Sequence, residues 1–300
     1  MVDIVILGTV GLDDIKTPFG EVKGVLGGSA TYAAVAASFF ANPGIISIIG
    51  SDFPEESKEF LKSRSIDLKG IKIIDGKTFR WGGYYEFDMN EAKTLKTELN
   101  VLAGFSPEVP NEYRDVKVLF LANVDPKVQM HVLEQMKKTD FVVMDTMNFW
   151  ITTKKETLLR MIKKVDLLLL NDSEARQLFG TTNLVIAAKE ALKLGPKFII
   201  IKKGEHGSLM FSDGTHFNAP GYPLENTKDP TGCGDSFGGS LAGYLASTED
   251  YSEKNIRKAI VFASAVASCN AEEFSLNKLK NIDLAHIQKR YSEMKEFREF

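Results

Sequence analysis

Three hundred residues, 44% of them hydrophobic, can bury one large α/β core or two smaller ones. A net charge of −3 offers no basic field for nucleic acid, and no apolar run reaches the ~18 residues of a membrane span. The opening "MVDIVILGTV" has no basic leader, the two cysteines make no disulfide framework, and the four histidines are scattered, so a cytoplasmic chain with no structural metal site is expected.

In chain order, "DIVILG" (3–8) reads as a first strand, and "DDIKTPFGEVKGVL" (13–26) as a β-rich stretch. "GIISIIG" (44–50) is a second buried strand, followed by the amphipathic "PEESKEFLKSR" (54–64). Residues 71–104 break the pattern: β-branched and aromatic residues with turn signals predict two to four antiparallel strands. Alternation then resumes. Apolar runs at 116–123, 141–148, 166–171 and 197–204 are separated by helical patterns at 126–138, 153–164 and 183–195. The second of these helices carries Thr153 and Glu156 at capping-box spacing.

Strands that are apolar throughout suit burial on both faces of a parallel sheet. The predicted fold is therefore α/β: a doubly wound, mainly parallel sheet flanked by helices, with a small β-sheet lid. Residues 1–12, 27–70 and 105–300 form the core, and 13–26 and 71–104 the lid. Ligands in such sheets bind beyond the carboxyl ends of the strands. "GIKIIDGKTF" (70–79) is not a phosphate loop, because five residues separate its glycines and a strand follows. "GTVG" (8–11) also lacks a dinucleotide fingerprint.

"DPTGCGDSFGG" (229–239) runs directly into a helical pattern, although Gly238 and Gly239 are poor helix formers. Small residues before a helix leave backbone N–H groups open to an anion, favoured further by the helix dipole. Gly232, Cys233 and Gly234 would supply those groups. A carboxylate at such a site, Asp235, makes sense as a base taking a proton from a hydroxyl that attacks a phosphoryl group. Capping alone would not need the glycines.

This stretch resembles the C-terminal signature of the ribokinase-like (phosphofructokinase-B type) carbohydrate kinases. Four further elements are similar to that family in order: "VILGTVGLDD" (5–14), "GGSATYAAVAASFF" (27–40), "NDSE" (171–174) and "IIIKKGEHGSL" (199–209). The resemblance implies Asp235 as catalytic base with Gly232, Cys233 and Gly234 as its anion hole. It implies Asp13, with Asp14 as an adjacent competitor, on the acceptor hydroxyls, and Gly27 and Gly28 at the acceptor's backbone approach. Tyr32 stands where many sugar-specific members place an asparagine. Asn171 and Glu174 would organise Mg2+, through water, beside the nucleotide, and Gly204 would mark the nucleotide-side turn, with Lys203 beside it either reaching a phosphate or standing solvated. A helix N-terminus would lower the Cys233 thiol pKa. "SCNAEEFSLNKL" (268–279) lacks the glycine pattern of the family's monovalent-cation loop, which leaves K+ open.

In the insert, Phe79, Arg80, Trp81, Tyr84, Tyr85 and Phe87 bring aromatics and one cation that could meet an acceptor, and "DTMNFW" (145–150) closes a core strand at the ligand edge, where Asp145 and Asn148 could face the substrate or magnesium. Trp150 reads as packing. The expected activity is ATP-dependent phosphorylation of a small sugar or sugar derivative. A nucleoside acceptor is the alternative, a non-catalytic relative a third reading, and pairing of two copies through the lid a further expectation.

Overall fold

The computed structural model describes residues 2–297. Its strands are β1 (Ile4–Leu7), β2 (Gly11–Thr17), β3 (Gly20–Gly27), β4 (Pro43–Gly50), β5 (Asp67–Ile74), β6 (Phe79–Tyr85), β7 (Ala92–Glu98), β8 (Asp115–Leu121), β9 (Lys138–Met144), β10 (Leu167–Asn171), β11 (Phe198–Lys202), β12 (Ser208–Ser212) and β13 (Thr215–Ala219). The helices are α1 (Ser29–Ala37), α2 (Glu55–Ser63), α3 (Pro126–Gln135), α4 (Asn148–Thr153), α5 (Lys155–Ile162), α6 (Asp172–Phe179), α7 (Leu184–Leu192), α8 (Cys233–Thr248), α9 (Glu253–Ala271), α10 (Asn277–Lys280) and α11 (Leu284–Glu296).

Nine strands form one sheet in the order β13-β12-β11-β10-β9-β8-β1-β4-β5. Pairing is parallel from β11 across to β5, and antiparallel only at the β12 and β13 edge. The strands alternate between two apolar layers. Phe141 and Val143 of β9, and Phe198 and Ile200 of β11, face the layer built with α1, α8 and α9. Val142, Met144, Ile199 and Ile201 face the opposite layer with α3, α5, α6 and α7. This parity decides which residue at each strand end reaches α8.

The two glycines that weaken α8 as a helix have a packing reason. A Cβ at Gly239 would lie 2.1 Å from the Ala33 carbonyl oxygen of α1, and one at Gly238 would lie 2.5 Å from the Phe120 ring of β8. Helix α8 is drawn so close to α1 and the sheet that side chains at these positions do not fit. Its N-terminus is thereby pinned at the carboxyl edge of the strands.

A second, four-stranded sheet has the order β3-β2-β6-β7. Its composition differs from the sequence expectation in two ways. Residues 71–74 belong to β5, which pairs parallel with β4 in the large sheet. Being an edge strand, β5 covers only part of its surface, with Leu68 and Ile71 on one layer and Ile74 on the other, so its pattern mimics an insert. The small sheet is also mixed: β2 pairs parallel with β6, and only β2–β3 and β6–β7 are antiparallel. The capping box expected at Thr153 and Glu156 does not form. The Thr153 hydroxyl donates back to the Phe149 carbonyl within α4, and α5 starts afterwards without a side-chain cap. Among the described residues no helix is long and apolar enough to cross a membrane.

Candidate active site

The N-terminus of α8 is shaped by Gly232, whose φ of 75° is left-handed. A Cβ there would lie 2.4 Å from the Tyr32 ring, so the backbone rests directly on that ring. Tyr32 is 1% exposed and forms the floor of the loop, with its hydroxyl pKa pushed up by burial and by Asp13 and Asp229. Asp229 is fully buried and clamps the loop, accepting from the amides of Thr231 (2.8 Å) and Ser275 (2.9 Å). The Asn270 side-chain amide donates to the Thr231 carbonyl at 2.8 Å. The loop is thus built from 229–235 together with a segment around 270–275.

Not all of the expected amides point outward. The Cys233 N–H donates to the Pro230 carbonyl at 3.1 Å. The helix itself supplies no acceptor for the amides of Gly234 and Asp235, which lie in its first turn. Cys233 also departs from its expected reactivity. Its Sγ lies against the Ala267 carbonyl, and burial pushes the thiol up to about 12 rather than down.

Asp235 stands in that first turn and is half-buried. Burial, then the Asp145 carboxylate, push its pKa up to about 7, and Lys202 draws it partly back. Lys202 ends β11 and donates to Asp145 Oδ2 at 2.5 Å. Glu174 is 5% exposed, and burial together with Asp145 raises its pKa to about 8. The "NDSE" element is a capping box: Asn171 Oδ1 accepts from the Glu174 amide and Glu174 Oε2 from the Asn171 amide, both at 2.7 Å. The motif's spacing therefore fixes Glu174 at the strand edge as it starts α6.

The side of the site formed by β2 and the turn before α1 is equally constrained. Asp13 on β2 is 3% exposed, and its Oδ1 has no hydrogen-bond partner among the described residues. Burial drives its pKa to about 8, against the pull of the Gly28 amide, with Asp235 and Asp229 adding to the rise. Gly27 is obligatory, since a Cβ there would sit 1.9 Å from Asp13 Oδ2. Gly28, at φ 94°, would press on the Thr9 carbonyl oxygen at 2.5 Å. The neighbouring Asp14 faces outward and accepts from the Gly24 amide at 2.7 Å. A buried carboxylate with an open oxygen costs stability unless something binds it.

Asp13→Asn is therefore expected to raise the unfolding temperature at pH 9 while impairing turnover. The sign follows from a folded pKa of about 8 above the ordinary 3.8. The wild type loses stability as pH rises from the lower value through the higher, whereas the amide does not titrate. Thermal unfolding of both proteins at pH 5 and pH 9 checks this. A gap that fails to widen at pH 9 contradicts it.

Arg80 donates to Asp52 Oδ2 at 3.3 Å, beside a cleft of about 230 Å³ that includes Asp14, Lys77 and Lys96. Its charge is engaged at the outer face of the small sheet. Asn148 donates to Gln177 at 2.9 Å and ties α4 to α6. Lys203 lies on the turn after β11, its amide bonded to the Gly207 carbonyl at 2.7 Å. Gly204 has φ 55° and faces Asn90 of the β6–β7 hairpin. Of the insert aromatics, Tyr85 reaches the loop, its hydroxyl accepting from Thr231 at 3.2 Å, whereas Phe87 is 91% exposed. Trp150 packs as expected, donating to Asn123 at 2.9 Å. Sequence reasoning missed Lys202, Asp229 and Asn270. The parity of β11 could have found the first, since Phe198, Ile200 and Lys202 share the face toward α8.

The profile of the pfkB family carbohydrate kinases matches residues 9–281. This chain belongs to that family. A pfkB kinase is a phosphotransferase acting on a hydroxyl of a sugar or nucleoside, and the carboxylate beside open helix amides fits that chemistry. A cytidine kinase of Thermococcus kodakarensis is 32% identical over 254 residues, covering 81% of this chain and 89% of that protein. The fold matches a nucleoside kinase of Methanocaldococcus jannaschii with a TM-score of 0.78 at 19% identity, covering 98% of this chain and 99% of the other. It also matches a ribokinase of Cryptococcus neoformans in complex with ADP, with a TM-score of 0.78 at 20% identity over 97% and 100% of the two chains.

Proposed function

We propose that this pfkB kinase transfers the γ-phosphoryl group of ATP to a hydroxyl of a nucleoside. The observation that carries the transfer is Asp235, a carboxylate of pKa about 7 set among the first open amides of α8. The nucleoside reading is supported by the extent of the likeness to the cytidine kinase. A small free sugar is the second reading, favoured by the family as a whole.

In this mechanism Asp13 holds one acceptor hydroxyl through its unpartnered oxygen. The reacting hydroxyl loses its proton to Asp235 as its oxygen bonds to phosphorus and ADP departs. The amides of Gly234 and Asp235 meet the charge on the transferred group. The small sheet, which carries Asp13 and Tyr85, covers the acceptor and excludes water.

Among the described residues no three carboxylate, histidine or cysteine groups cluster to cage a metal. Glu174 is nevertheless a buried oxygen donor whose pKa is raised by burial and then by the like charge of Asp145, both of which a nearby cation relieves. This fits a magnesium ion held mostly by water and substrate phosphates. Glu174 and Asn171 would hold it through water, and when bound it would neutralise phosphate charge.

A panel of cytidine, inosine, ribose and fructose with ATP, read by ADP release and phosphomonoester formation, tests the assignment. Cytidine is expected to exceed ribose in kcat/KM by about tenfold or more. Ribose or fructose ahead of both nucleosides overturns the nucleoside reading.

A further inference from the structure

The Lys202 ammonium is drawn electrostatically by the carboxylates of Asp145, Glu174 and Asp235. Lys202 is not a surface lysine, for its side chain is only 16% exposed. Burial pulls its pKa down, but Asp145, Glu174 and Asp235 outweigh that and keep it protonated. Asp145 Oδ2, at 2.5 Å, occupies one of the three ammonium N–H directions. Asp145 is itself held, its Oδ1 accepting from the Thr146 amide at 2.9 Å.

A Cβ on Gly234 would lie 3.3 Å from Lys202 Nζ, tighter than ordinary contact. The ammonium therefore abuts the residue whose amide opens from the first turn of α8. Glycine at 234 makes room for that approach. A lysine serving only to neutralise Asp145 would not need to lie against this turn.

We propose that Lys202 is a catalytic residue whose ammonium contacts the transferred γ-phosphoryl group, together with the Gly234 and Asp235 amides. This rests on reading the α8 N-terminus as the phosphoryl site. Lys202 stays protonated throughout: the acceptor proton goes to Asp235, the acceptor oxygen–phosphorus bond forms, and the bond from phosphorus to the ADP oxygen breaks. Asp145 is a positioning residue that fixes the ammonium's height. Because the contact is with the γ group, Lys202 distinguishes ATP from ADP before any chemistry occurs.

The test is calorimetric binding of ADP and of a non-hydrolysable ATP analogue, with magnesium and without acceptor. The wild type is expected to prefer the ATP analogue. Lys202→Met is expected to weaken the analogue about 10–100-fold, the loss of a charge-assisted contact, with ADP affinity unchanged within about twofold. Removing one partner of a buried pair can prevent folding, so Lys202→Met is also made with Asp145→Asn, which removes both charges. The double variant is expected to lack the preference as well. A single variant that keeps the preference, or a double variant that regains it, overturns the proposal, the latter leaving Lys202 a mere counter-charge. A wild type without preference overturns the Lys202 contact and leaves the kinase reading standing. A wild type that binds neither nucleotide overturns both.

Discussion

Asp235→Asn is expected to lower turnover by about 10²–10⁴-fold, the usual effect of losing a general base. Nucleotide affinity should stay within about threefold, because the amides of the α8 first turn remain in place. The substitution keeps the size of the side chain and removes a charge that burial and Asp145 already disfavour. The folded protein should thus lose nothing in thermal stability, which separates a chemical defect from a structural one. Steady-state kinetics with parallel thermal unfolding measures both. Near-normal turnover removes Asp235 from the proposed reaction.

Gly232→Val is expected to damage the same step through the backbone. The position combines φ 75° with a Tyr32 ring 2.4 Å from where a Cβ would stand. A branched residue must either push the ring away or straighten the loop, and both displace the open amides. Losing one such donor costs about 10²–10³-fold in turnover. The strained backbone and the overpacked ring should add about 1–3 kcal/mol of destabilisation each. Cys233→Ala is the matched comparison, since the Cys233 amide is already bonded to Pro230 and its thiol is held up at about 12. Its rate should stay within about threefold, the effect of a side chain that only fills space. A silent Gly232→Val, or an inactive Cys233→Ala, contradicts this account of the loop.

The large sheet was legible because its strands are buried on both faces and read as unbroken apolar runs, as in "DLLLLN" and "KFIIIKK". The edge strand β5 was not, because half-covered strands look like inserts. The turn that starts α8, with Asp235 in the first turn of the helix, was legible from the glycines around it. Lys202 was hidden beside Lys203. Only the alternation of β11 separates a side chain facing α8 from one on the turn, and that alternation is blurred when both faces are apolar. Arg80 and Asn148 carry groups apt for a ligand, but their partners, Asp52 and Gln177, are 28 and 29 residues away in sequence. The Cys233 thiol was misjudged because the helix terminus was visible in sequence, whereas the packing of Ala267 and Asn270 around it was not.

If the carboxylate at the start of α8 accepts the acceptor's proton, its titration governs the pH dependence of kcat/KM for the acceptor. Asp235 has a pKa raised to about 7, and it serves as a base only when deprotonated. Wild-type kcat/KM should therefore rise about tenfold per pH unit below that value and level off above it. A profile that is flat from pH 5.5 to 8.5, or that falls as pH rises through 7, contradicts the account.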